Sequence, residues 1–300
     1  MKHVKTDPIL SVLMTAYNRE SLISESIESV LRSSYSDFEF IIVDDASEDS
    51  TWDIIKYYQS RDKRIRAFRN SINTGDYPNR NIAAGYANKQ YIKFVDSDDL
   101  LNVGALSQMV KTMLANPSCS IGLIGKDLNL PINNTLIIDP KLSYQKIFFQ
   151  GKIVTVGPSS SILKTSEFKK IGGFPISGAL SDLKLWLKLL ATSKVCLFDE
   201  SLVYWRRHSN QEYEIAQKTN FNLYKGYKIY LEALLNKNCP LPPDEINYAI
   251  QNLKNRYSRK IIYQTLLFNF YTAFLLARET SLGIVDIMKS LQKNKYPPGV

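Results

Sequence analysis

Cysteine is scarce in this chain of 300 residues. Cys119, Cys196 and Cys239 are odd in number, scattered, and without the close spacing that zinc ligands need. A disulfide-stapled secreted framework is excluded, and a reducing cytoplasm is the expected setting. Long apolar runs are missing too. The stretch starting at Pro8 turns polar after Met14 and has no small-residue cleavage site, so it reads as a buried strand rather than a leader. Residues 261–277 are apolar almost all round, but Gln264, Thr265, Asn269 and Thr272 interrupt them and they fall short of the roughly 20 residues of a bilayer span. There is no internal repeat, no low-complexity linker, no zinc finger, no RNA-recognition signature and no dense basic helix. Nucleic acid is therefore not expected as a partner. Charged residues make up 22%, beside 44% apolar, which sets a globular chain with a sizeable core against a disordered one. The net charge of +9 points to anionic company, such as diphosphates or anionic lipid surfaces.

What is present is concentrated in strand ends. Tyr91-Ile92-Lys93-Phe94-Val95 is a short apolar strand that stops in Asp96-Ser97-Asp98-Asp99. Ends of this kind open onto the crevice where open α/β sheets bind ligands. Crowded carboxylates repel unless a cation neutralises them, and Mg²⁺ or Mn²⁺ would bind their oxygens and complete the shell with water and phosphate. The competing reading is a turn and helix cap, since a helix is expected over 103–114. A second strand, Phe38-Glu39-Phe40-Ile41-Ile42-Val43, runs into Asp44-Asp45-Ala46-Ser47, and a third, 9–14, ends in Thr15-Ala16-Tyr17-Asn18-Arg19. In a parallel sheet the three polar ends share one rim.

Helical spacing of Ile23, Ile27, Val30 and Leu31 predicts a helix over 20–33, and Trp52, Ile55 and Tyr58 predict another from Thr51. Ile65–Phe68 reads as a strand, and Pro78 is placed to open the helix that carries Arg80 and Asn81. This alternation implies an α/β fold with a mostly parallel sheet flanked by helices. Residues 129–134 are turn-rich, 144–149 are expected helical, and 159–163 form a strand. From Leu180 a helix places Leu183, Trp186, Leu187 and Leu190 on one face, so Trp186 belongs to the core. Beyond residue 212 the pattern is helical, with helices over 220–235 and from Asp244, and a break at Cys239-Pro240-Leu241-Pro242-Pro243.

In order and spacing, Ser11–Arg19, Ile42–Ser47, Asn73-Thr74-Gly75 with Arg80-Asn81, and Val95–Asp99 resemble the successive blocks of the family 2 glycosyltransferases. Ile171-Gly172-Gly173-Phe174, Ser181-Asp182-Leu183-Lys184-Leu185-Trp186 and Tyr204-Trp205-Arg206-Arg207-His208 resemble its later blocks. The resemblance covers about residues 8–212. It implies a GT-A-type nucleotide-binding fold over 1–212, with a nucleotide half at about 8–100 and an acceptor half at about 101–212, followed by a helical C-terminal extension over 213–300.

The same resemblance implies the site. Thr15, Ala16, Tyr17, Asn18, Asp45, Arg80, Asp96 and Ser97 match the nucleotide-sugar pocket, with the tyrosine over the base and the Asp45 carboxylate on its ring N–H. Asp98 and Asp96 match the metal ligands for Mn²⁺ or Mg²⁺, Asp98 more directly, and His208 is a third candidate. Asp182 matches the general base at a helix start, where the dipole favours its ionised form. A capping turn at Asp44-Asp45, a surface ion pair at Arg80, a plain helix cap at Asp182 and a structural His208 are the competing readings. The expected activity is inverting transfer of a hexosyl or N-acetylhexosaminyl group from a UDP-sugar to a carbohydrate or glycolipid acceptor in surface polysaccharide synthesis. Ser181 departs from the family's acidic residue there, which leaves a catalytically inactive nucleotide-sugar-binding protein as the alternative. A phosphatase-type Asp-x-Asp is disfavoured because Asp99-Leu100-Leu101 lacks the Thr or Gly it needs. For 261–277, flanked by Arg256, Arg259, Lys260 and Arg278, a buried helix or homodimer contact is expected, with peripheral contact at the inner membrane face as the alternative.

Overall fold

The structure is a computed structural model and describes residues 9–125, 131, 134–151, 157–176, 180–207 and 221–291. In chain order the first elements are β1 (Leu10–Ala16), α1 (Ile23–Leu31), β2 (Phe38–Asp44), α2 (Thr51–Arg61), β3 (Ile65–Arg69), α3 (Asp76–Tyr86), β4 (Tyr91–Asp96), β5 (Leu100–Leu101) and α4 (Ala105–Ala115). Then come β6 (Cys119–Ile124), β7 (Thr135–Ile138), α5 (Pro140–Gln150), β8 (Ser161–Lys164), α6 (Thr165–Lys170), α7 (Ser181–Thr192), β9 (Lys194–Phe198) and β10 (Val203–Tyr204). Four helices close the described chain: α8 (Phe221–Leu235), α9 (Pro243–Leu266), α10 (Phe270–Thr280) and α11 (Ile284–Ser290). These group into two compact units, one within 1–138, 155–177 and 193–206, the other within 139–154, 178–192 and 207–300.

The first unit is built on an eight-stranded sheet in the order β3-β2-β1-β4-β8-β6-β9-β7. Parallel pairing joins β3 to β2, β2 to β1, β1 to β4 and β6 to β9, while β8 is antiparallel to both neighbours and β7 to β9. β1 and β2 are buried along their whole length, which is why they read as near-continuous apolar runs rather than alternating ones. Helix α1 turns Ile23, Ile27 and Val30 into the core with Leu10, Val12, Met14, Phe40 and Ile42. It is shorter than its expected 20–33 because the chain from Arg19 first makes a turn, closed by Leu22 N to Arg19 O at 3.0 Å. Register brings Thr15 opposite Val43 and Asp96, Ala16 opposite Asp44, and Asp44 opposite Arg69. The polar strand ends do lie on one rim.

The second unit is helical. Tyr144 Oη on α5 donates to Leu187 O on α7 at 3.0 Å, and Asn252 Nδ2 on α9 donates to Phe148 O at 2.7 Å. Lys141 pairs with Glu245 at 2.8 Å, and Trp186 is fully buried, as its position on the apolar face of α7 requires. Because α5 and α7 from mid-chain group with the C-terminal helices, the compact units do not follow the chain division expected near residue 212. The single apolar helix expected over 261–277 is corrected. Helix α9 stops at Leu266, Phe268 takes φ 56°, and α10 begins at Phe270, capped by Asn269 Oδ1 accepting from Thr272 N at 3.3 Å. Of its apolar side chains, Ile261, Ala273 and Leu276 are buried, whereas Leu266, Leu267, Phe268, Phe270 and Phe274 are exposed. Much of the turn-rich segment 129–134 lies outside the described residues.

Candidate functional site

The rim of the first unit is held by side chains that cross between loops. Asn18, at φ 51°, a left-handed conformation that Asn tolerates, donates its N–H to Ser47 Oγ at 3.0 Å and accepts Glu48 N at 2.9 Å. Asp45 is buried and both its oxygens are engaged. Oδ1 accepts from Asn70 Nδ2 at 2.6 Å and from Thr74 Oγ1 at 2.9 Å, and Oδ2 accepts from Gly75 N at 2.9 Å. It thereby pins the Asn73-Thr74-Gly75 loop, whose glycine sits at φ 89° just before α3. Tyr17 is exposed, whereas Thr15 and Ala16 are buried in the sheet end.

Arg80, 7% exposed on α3, ties Asp76 at 2.8 Å to Asp96 at 2.6 Å. Burial opposes its charge, but Asp76 and then Asp96 outweigh this and raise its pKa. Removing one partner of such a pair typically costs about 3–5 kcal/mol, because the other charge is left buried alone. Burial, with repulsion from Asp96 and Asp98, pushes Asp76 above the usual carboxylate range in spite of Arg80. The surface ion pair weighed for Arg80 is thus a buried one.

Beyond β4, one carboxylate oxygen from each of Asp96, Asp98 and Asp99 lies within 4.8 Å of the others. Asp99 is buried; that burial, then repulsion from Asp96 and Asp98, pushes its carboxyl up to about 8. Hard oxygen donors, crowded and destabilised by like charge, fit a divalent Mg²⁺ or Mn²⁺ ion. Asp96 is already tightly paired with Arg80, while Arg19 Nε reaches Asp98 only at 3.3 Å.

Several residues of this site were not singled out by sequence reasoning. Arg206 donates from Nε to the Asp98 carbonyl at 2.5 Å, from Nη2 to Leu22 O and Ser26 Oγ at 2.9 and 2.6 Å, and pairs with Glu25 at 2.7 Å. Ser26 Oγ in turn donates to Ser97 O at 2.8 Å. Lys93, fully buried in β4, donates to Phe94 O at 2.7 Å and to Ser159 O, while Asp96 N donates to Ser159 Oγ at 2.9 Å. A lysine inside an apolar strand was the available signal for Lys93, and Arg206 stood unassigned in a quoted block. The Gly-Gly-Phe block also has a physical basis. Asn81 clamps Phe174 through Nδ2 to O at 2.8 Å and Oδ1 from N at 2.9 Å, and a Cβ on Gly173, at φ 71°, would stand 2.5 Å from Asn81 Oδ1.

Asp182 lies in the second unit at the start of α7, where its Oδ1 accepts from Leu183 N at 2.8 Å. His208 lies outside the described residues.

The family described as "Glycosyl transferase family 2" matches residues 11–168. A Bacillus subtilis protein named as a teichuronic acid biosynthesis glycosyltransferase, TuaG, is 30% identical over 224 residues, covering 71% of this chain and 86% of that protein. The Escherichia coli UDP-Glc:alpha-D-GlcNAc-diphosphoundecaprenol beta-1,3-glucosyltransferase WfgD is 31% identical over 191 residues, covering 63% of this chain and 72% of that protein. Among solved structures, S. aureus TarS in complex with UDP-GlcNAc matches with TM-score 0.64 at 21% identity, over 83% of this chain and 72% of that one. The mannosyltransferase PcManGT from Pyrobaculum calidifontis, in complex with GDP-Man and Mn²⁺, matches with TM-score 0.61 at 15% identity, over 95% and 84%. The structural likenesses establish the GT-A-type α/β fold.

Proposed function

Since this chain belongs to glycosyl transferase family 2 and is a glycosyltransferase, we propose that it moves a sugar from a UDP-sugar to an acceptor hydroxyl with inversion, by a single in-line displacement, in cell-surface polysaccharide or glycolipid synthesis in the cytoplasm. The observation that carries this reading is the crowded Asp96, Asp98 and Asp99 cluster on the rim shared by the ends of β1, β2 and β4. The names of the relatives favour the UDP donor and the glycolipid acceptor, since WfgD is named for UDP-Glc and a diphosphoundecaprenol substrate.

Asp98 and Asp96 would hold Mn²⁺ or Mg²⁺, with Asp99 beside them and His208 as a further contributor. An ion held by these carboxylates would supply Lewis-acid neutralisation of the departing diphosphate. Arg80 holds Asp96 in place as a permanently charged partner. Tyr17, the exposed aromatic residue of its block, covers the base, while Thr15, Ala16 and Ser97 shape the pocket by backbone position. Asn18 and Asp45 keep the pocket's loops closed through the bonds described above, and Asp45 shares an oxygen with the ring N–H of the base. Asp182 takes the proton of the attacking hydroxyl. A free Asp titrates at about 3.9, far below a sugar hydroxyl, so proton transfer accompanies C–O bond formation rather than preceding it.

A thermal-shift panel of UDP-, GDP- and dTDP-sugars with and without Mn²⁺ tests the proposal. A ligand at about 100 times its Kd stabilises the folded state by about 2.7 kcal/mol, a shift of several degrees. UDP-sugars should raise the midpoint, and more so with Mn²⁺. Equal shifts from all three nucleotides, or none, would refute the donor assignment.

A further inference from the structure

The second unit exposes an unusual surface of its own. Leu266, Leu267, Phe268, Phe270, Tyr271 and Phe274 follow one another across the α9–α10 junction, and all are exposed, Phe268 at 81% and Tyr271 at 74%. A monomer rarely leaves so many large apolar groups together in water. Phe268 is moreover held at φ 56°, a left-handed conformation costly for an aromatic residue. The turn is set from both sides: Leu267 N donates to Tyr263 O at 3.1 Å, Asn269 N donates to Gln264 O at 2.9 Å, and Asn269 caps α10.

In the last three turns of α9, Arg256, Arg259, Lys260 and Tyr263 line a cavity of about 550 Å³. Arg256 Nη2 donates to Ile147 O at 3.3 Å, Arg259 Nε donates to Ser290 O at 3.1 Å, and the Lys260 ammonium lies 4.5 Å from the centre of the Tyr257 ring. None of the three cations forms an ion pair with a carboxylate among the described residues. Burial, and then Arg256, depress the Lys260 pKa, as expected of cations pressed together without a counter-charge. Exposed Tyr263 belongs both to the cavity wall and to the hydrogen-bonded turn that leads to Phe268, so the basic and apolar parts are continuous.

We propose that this surface docks the protein on an anionic phospholipid bilayer, the aromatic turn 266–270 entering the interface and the Arg256, Arg259 and Lys260 cavity receiving a lipid phosphate. Basic side chains next to exposed aromatic and aliphatic ones are the composition that binds anionic interfaces. A second copy of this chain fits less well. An isologous contact through the turn would bring two sets of unpaired cations together, on a chain already carrying a net charge of +9. The contact is peripheral, since no helix among the described residues is long and apolar enough to cross a membrane. It stands independently of the donor and metal chemistry proposed above.

Co-sedimentation of the full chain with vesicles of phosphatidylcholine alone, or of phosphatidylcholine mixed with phosphatidylglycerol, tests it. Binding to the mixed vesicles should exceed binding to the neutral ones at least about tenfold and fall as salt is raised. The exposed pair Phe268→Ser with Phe270→Ser, and separately Arg259→Gln with Lys260→Gln, should each lower it about tenfold while far-UV circular dichroism is unchanged. Inorganic pyrophosphate should compete no better than sodium chloride of equal ionic strength. Equal binding to neutral vesicles, no binding, salt-insensitive binding, or folded variants that bind like the parent would overturn the proposal. So would displacement by pyrophosphate, which marks a free-phosphate site, or a stable dimer in solution that the Phe268 and Phe270 substitutions dissociate.

Discussion

Lys93 offers the sharpest test of the physical reading. It is fully buried in the middle of β4, opposite Val12 on β1 and Ile162 on β8, and burial pulls its ammonium from the ordinary 10.5 down to about 7 even though Asp96 and Asp99 favour the charge. Below pH 7 the group is charged in both the folded and the unfolded chain, and folding bears the full cost of burying it. Between about pH 7 and about pH 10.5 the folded chain releases a proton that the unfolded chain keeps. The unfolded state then binds more protons, and stability rises with pH at about 1.4 kcal/mol per unit, to a ceiling on the order of 5 kcal/mol. Lys93→Met keeps similar volume and removes the titration, at the cost of the donor to Phe94 O and Ser159 O. The stability difference between parent and variant should therefore move in the parent's favour as pH rises above about 7. Thermal unfolding of both proteins across this range should show the parent gaining about 2 °C on the variant per pH unit. A difference in midpoint that does not change with pH would refute a buried, titrating Lys93.

Asp98→Ala should abolish the Mn²⁺-dependent part of UDP affinity in calorimetric titration while the fold persists; unchanged affinity removes Asp98 from the site. Asp182→Asn should retain donor binding but reduce transfer about 10²–10⁴-fold by UDP release, and full activity would return Asp182 to the role of helix cap. It also separates an enzyme from a binding-only protein, the reading that Ser181 invites. Gly173→Ala, with its Cβ 2.5 Å from Asn81 Oδ1 and a left-handed φ, should lower the unfolding free energy read from denaturant titration by about 1–3 kcal/mol, and an unchanged value would mean that the Asn81 clamp yields freely.

The strands and helices of the first hundred residues were legible because their causes are local. Buried parallel strands show as apolar runs, α1 shows as Ile23, Ile27 and Val30 at helical spacing, and the rim shows as acidic or polar residues where those runs stop. The break at Phe268 was not legible. Apolar composition runs straight through it with no Gly or Pro, and only Asn269 hints at a new helix start. The antiparallel insertion of β8 between β4 and β6 was equally hidden, because pairing across the sheet is decided by which faces can be covered and not by any short segment.

By itself, then, the sequence determined the α/β class, the order of the blocks and the carboxylates that end β4, since each depends on residues within one turn or strand of one another. Only the tertiary structure decided that Arg80 is a buried clamp between Asp76 and Asp96, that Asp45 spends its oxygens on a loop near Gly75, and that Arg206 secures the Asp98 backbone across more than 100 residues of chain. A charged or polar group finds its partner by proximity in space, where burial makes an unpaired charge costly, and that proximity exists only once the sheet has closed its rim.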